Sequence, residues 1–115
     1  MSHARRYTGI GHEFEEKFLR IRDSIEIALK HLPIDYRDYL SYKIDDITFE
    51  DVLGGVDRAL HRLELSSIKY RNVTYDSKDY SPDQYVAILE KLENELENVY
   101  DAKEQFLQFV KRMDM

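Results

Sequence analysis

Ser81-Pro82-Asp83-Gln84 is a helix start written out in full: a capping hydroxyl, a proline at the first helical position and a glutamine at the third. Beyond it Tyr85, Leu89, Leu92, Leu96, Val99, Phe106, Val110 and Met113 recur at spacings of three and four, interrupted only by Lys103. A helix of about thirty residues would be a rod about 45 Å long. Its apolar stripe cannot remain in water, so the chain must supply other helices to cover it.

Those helices can be read upstream. Phe14, Phe18, Ile21, Ile25, Ala28 and Leu32 repeat the same rhythm from near His12, widened by Leu19, Ile27 and Leu29, until Pro33 stops the pattern. Asp35 is placed to cap a short helix near 35–43 carrying Tyr36, Tyr39, Leu40 and Tyr42. Thr48 caps a further helix near 48–65 with Phe49, Leu53, Val56, Leu60 and Leu63 on one face, joined by Val52 and Ala59. Gly54-Gly55 sits inside that face. Because the apolar register runs through the pair unbroken, close packing against a neighbour is the preferred reading over a kink. Residues 66–80 read as a long loop, with the weak alternation of Ile68, Tyr70, Val73 and Tyr75 insufficient for a strand that has no partner. Residues 1–11 read as a flexible arm, loosened by Gly9 and Gly11. The expectation is a single all-α domain over 12–115. It is a small antiparallel helical bundle with three main helices, the last of them long, and one short helix.

Composition narrows the function. The 115 residues carry a formal charge of −6, spread along both halves, which disfavours generic nucleic-acid binding. There is no cysteine, hence no disulfide, thiolate metal site or thiol nucleophile. With no apolar run long enough for a membrane span and no hydrophobic signal core, a cytoplasmic protein is expected. Asn72-Val73-Thr74 fits a glycosylation sequon and is read as chance.

No motif carries chemistry. Asp57, His61 and Glu64 share one helical face, yet the Glu-x-x-His step of a bundle metal centre is missing, and the group reads as a solvated charged face. His12 and His31 suit helix ends. Asp35, Asp38, Asp45 and Asp46 lack any calcium-loop spacing. Arg58 and His61 do not make a specific ribonuclease pair, and Gly9-Ile10-Gly11 lacks the rest of a dinucleotide fingerprint. No catalytic residue, metal or cofactor is assigned. Glu90, Glu93, Glu95, Glu97, Asp101 and Glu104 form an acidic run on the last helix that could imitate a phosphate backbone; a solvated surface explains it equally.

The compositional oddity is nine tyrosines against no tryptophan. Tyrosine suits interfaces because it offers a large amphipathic contact at modest ordering cost. Tyr36, Tyr39, Tyr42, Tyr70 and Tyr75 are therefore candidate interface residues. Phe106, Phe109 and Met113 join them, because the C-terminal turns of so long a helix are expected to overhang a single bundle and pair with a second copy. The leading expectation is a non-catalytic protein-interaction module, an adaptor, inhibitor or regulator, that forms a homodimer. The alternative is nucleic-acid-associated regulation through a local basic face at Arg58, Arg62, Lys69 and Arg71 beside Tyr70.

Overall fold

The structure, a computed structural model, describes residues 9–32, 35–74 and 80–113. Three helices run antiparallel in sequence order: α1 (Ile10–Lys30), α2 (Phe49–Lys69) and α3 (Pro82–Arg112). A 3₁₀ turn (Tyr36–Tyr39) and a two-residue hairpin, β1 (Lys43–Ile44) with β2 (Ile47–Thr48), join α1 to α2. The all-α bundle and its long last helix are as the apolar periodicity predicts. α2 packs against both other helices, and α1 and α3 touch each other least.

The core is a single layer. Phe14, Phe18, Ile21 and Ile25 of α1 meet Val56, Leu60 and Leu63 of α2 and Leu92, Leu96, Val99 and Phe106 of α3. Ile88 and Phe109 are buried where the sequence reading had put Leu89 and Val110, which are only half-buried. Leu19 and Ile27 do not widen the α1 stripe: they lie on its outer side and are exposed. Ala102 and Lys103 are both half-buried, with Ala102 against the core.

Both capping boxes form. Thr48 Oγ1 accepts from Asp51 N while Asp51 Oδ2 accepts from Thr48 N, each at 3.1 Å. Ser81 and Gln84 repeat the exchange at 3.2 and 2.8 Å. The start of α1 is capped differently. Gly9 contributes no side chain, and the orphan N–H groups donate instead to carbonyls of the turn that ends α2, Ile10 N to Val73 O at 2.7 Å and Gly11 N to Tyr70 O at 3.2 Å. This requires two backbones to touch. A Cβ at Gly9 would overlap the Arg71 carbonyl, and one at Gly11 would overlap the Ser67 carbonyl. Gly9 and Gly11 are therefore buried parts of the packed domain, and the helix starts at Ile10, inside the stretch read as an arm. Residues 1–8 lie outside the described residues.

The second glycine pair behaves in the opposite way. A Cβ at Gly55 meets nothing within 4 Å, and one at Gly54 meets only the flexible Arg58 Nη1 at 3.3 Å. The expected close packing at Gly54-Gly55 is absent among the described residues, and α2 passes through the pair as one continuous helix. That helix also runs to Lys69, absorbing Ser66 and Ser67 into its buried face and shortening the loop read over 66–80.

The short helix expected over 35–43 is only the 3₁₀ turn, followed by the hairpin. Asp45 and Asp46 have φ of 51° and 67°, the left-handed pair that a tight two-residue hairpin requires. The hairpin and turn close over the C-terminal end of α3, where Arg112 Nη2 pairs with Asp45 Oδ2 at 2.8 Å. The C-terminal turns of α3 thus do not overhang: Phe106, Phe109 and Met113 are buried.

Candidate functional site

Tyr36, Tyr39 and Tyr42 belong to the closed end of the bundle. The Tyr36 ring stacks on Phe49 at 6.4 Å, Tyr42 sits edge-on to Phe109 at 6.4 Å, and Phe49 sits edge-on to Phe106 and Phe109 at 6.0 and 5.8 Å. Tyr39 meets Tyr42 at 6.2 Å. Five of the eight residues singled out as an interface are here inside the molecule or half so, namely Phe106, Phe109, Met113, Tyr36 and Tyr39, and Tyr42 only begins to be exposed. Tyr70 is half-buried at the turn after α2, with Lys69 Nζ 5.2 Å from its ring centre. Tyr75 lies outside the described residues.

The four basic residues do not form one patch. Arg71 is held by Glu15 of α1, its Nη2 donating to both carboxylate oxygens at 2.8 and 2.9 Å. This charge pair clamps the glycine-mediated contact between α1 and the end of α2. Arg58 and Arg62 sit elsewhere, on the flank of α2 that faces α3, and make no ion pair or hydrogen bond among the described residues.

On that flank the helices leave a groove open to solvent. Its wider part, about 440 Å³, is lined by Ile44, Ile47, Val52, Gly55, Ala102 and Phe109, with Asp51, Gln105, Gln108 and Arg112 at its rim. Its narrower part, about 220 Å³, lies between Arg58, Ala59 and Arg62 of α2 and Glu95 and Asn98 of α3. Gly55 and Ala102 line both parts, so the two adjoin along the α2–α3 seam. From Glu95 to Arg112 they follow α3 for about 25 Å. Ile47, on the hairpin, is 47 % exposed at its apolar end.

The polar end is incompletely satisfied. The Glu95 side chain is 16 % exposed, and its Oε1 lies 3.5 Å from Lys91 Nζ. Its Oε2 is buried with no hydrogen-bond partner. Leaving such an acceptor unpaired costs about 1–3 kcal/mol. Glu95 was read as one of a row of solvent-facing acids; it turns toward α2, away from Glu93 and Glu97, which are exposed.

A second depression of about 400 Å³ separates α1 from α2, with Phe18, Ile25, Leu29, Leu53 and Leu60 beneath and Arg22, Glu26, Asp57, His61 and Glu64 at its edges. Asp57, His61 and Glu64 do share a face there, but no group of three or more histidine or acidic side chains among the described residues is placed to hold a metal ion. Among the described residues, no helix is long and apolar enough to cross a membrane.

The glycine pair was the sequence signal for the α2–α3 groove, although it was read as packing inside the chain. Ile47, Ala102, Asn98 and Gln105 gave no signal of their own. No family model, no curated protein and no solved structure matches this chain.

Proposed function

We propose that this chain is a non-catalytic protein-interaction module whose working surface is the α2–α3 groove, and that the groove receives a helix or extended segment of another protein. The observation that carries the reading is the unobstructed pair Gly54-Gly55. Two glycines inside a helix cost about 2 kcal/mol relative to alanines. Among the described residues nothing offsets this, since no atom lies within 4 Å of a Cβ at Gly55 and α2 continues through the pair. An approaching partner backbone would offset it, in the way the Arg71 and Ser67 backbones do at Gly9 and Gly11. The apolar floor and the unpaired groups at the far end supply the contacts such a segment needs. The alternative role at nucleic acid has less support. Neither Lys69 nor Arg71 lines the groove with Arg58 and Arg62, so the four basic residues offer no continuous track for a phosphate backbone.

Photo-crosslinking tests the reading. A benzophenone side chain placed at Gly55 should trap a defined protein in extracts of the source organism, whereas the same group at Ile27, on the outer side of α1, should not. The purified partner should then bind Gly55→Gln at least tenfold more weakly than the native chain. Equal trapping from both positions, or unchanged affinity of Gly55→Gln, contradicts the proposal.

A further inference from the structure

Resting on the reading of the groove as a docking surface, we infer that its occupant is an acidic amphipathic segment of another protein. Such a segment seats a carboxylate between Arg58 and Arg62. The charge pattern argues this. In a chain of formal charge −6, the narrow end of the groove carries two guanidinium groups with no ion-pair partner among the described residues. Arginine forks match carboxylates bidentately, and a partly enclosed groove strengthens the contact. The wide end sets the remainder of the occupant. Apolar side chains over Ile47, Val52 and Ala102 would lie in line with the arginines along the same seam, so apolar and acidic residues must lie on one face.

A second copy of this chain fits less well. Among the exposed acids of α3, Glu93, Glu97 and Glu104 lie about 100° or more round the helix from Asn98 and Ala102 on the groove side, while Asp101 and Glu90 lie about 60° and 80° from Asn98. Docking them into a neighbour's groove is a head-to-tail contact that extends into a filament unless the rotation closes it.

The test pans the full chain against displayed libraries of eighteen-residue peptides, helical and unstructured, and locates the enriched peptides by amide shifts of the labelled protein. The inference predicts enrichment of sequences with apolar and acidic residues on one face, shifts at Gly54, Gly55 and Ala102, and at least tenfold loss of affinity in Arg58→Glu/Arg62→Glu. A peptide with its acids changed to lysine should regain binding to that charge-reversed variant, whose circular dichroism and melting are checked against the native chain. Neutral or basic peptides that shift Gly55 and ignore the arginine reversal overturn this inference while leaving the groove reading intact. Peptides that bind without shifting Gly55, or no enrichment at all, overturn both. A doubling of mass on concentration, with the same shifts in the chain alone, assigns the groove to a second copy and overturns the inference as well.

Discussion

Four glycines divide into two pairs with opposite consequences. At Gly11 an added Cβ overlaps the backbone of the α2 C-terminus, which has no rotamer to yield. Gly11→Ala should destabilise the chain by about 1–3 kcal/mol in urea titration, with loss of the Gly11 N to Tyr70 O bond visible as faster amide exchange. The sequence could not separate the pairs, because a glycine's letter carries no information about what approaches it. Gly9 and Gly11 looked like loosening residues near a terminus, and Gly54 and Gly55 looked like packing residues inside an apolar register. Asp45 and Asp46 were obscure for a related reason. The unit Ile44-Asp45-Asp46-Ile47 has the apolar flanks of a hairpin but no glycine, so its turn was not recognised, yet aspartate tolerates the left-handed region better than most side chains. Asp46→Gly should therefore raise stability by about 0.5–1 kcal/mol, measured by the denaturation midpoint, without disturbing the Arg112 pair made by Asp45.

At the level of elements, the three helices were legible because period and caps agree. The Thr48 and Ser81 boxes form where the letters place them. The end of α2 was not legible. Ser66 and Ser67 suggest a turn, but both are buried in the helix, where Ser67 Oγ donates to the Glu64 carbonyl at 2.8 Å. The closed end of the bundle depends on Phe49, which is fully buried and contacts Tyr36, Phe106 and Phe109. Phe49→Ala should cost about 3–5 kcal/mol and detach the turn and hairpin from α3. Near-ultraviolet circular dichroism of the tyrosines reads that detachment directly. The cap itself has a pH signature. The Thr48 backbone N–H, and then its hydroxyl, hold the Asp51 carboxyl below its ordinary value of 3.8. A depressed carboxyl pKa contributes stability that is complete above the ordinary value and disappears as pH falls through the lowered one. Denaturation midpoints followed downward from pH 5 should show Asp51→Asn less stable than the native chain near pH 5, and converging with it at the acid end.

The whole molecule is long and thin. Its Cα envelope is 52 × 30 × 16 Å with a radius of gyration of 17.3 Å, against about 13 Å for a compact domain of this length. A body so thin has one apolar layer, and each helix keeps an outer flank that no other described element covers. The sequence reading placed the uncovered surface at the C-terminal end of α3, on the argument that the longest helix must project there. The argument failed because the 3₁₀ turn, expected as a longer helix, and the hairpin, which was not foreseen, cover that end. The surface left open is a flank instead, where Gly55 and Ala102 keep α2 and α3 from filling the space between them.

Gly55→Ala, measured for both unfolding free energy and affinity for the protein trapped from position 55, bears most directly on whether that flank is kept open for a partner. The account predicts a chain about 1 kcal/mol more stable that binds at least tenfold more weakly. A variant that is less stable, or one that binds as tightly as the native chain, would contradict it.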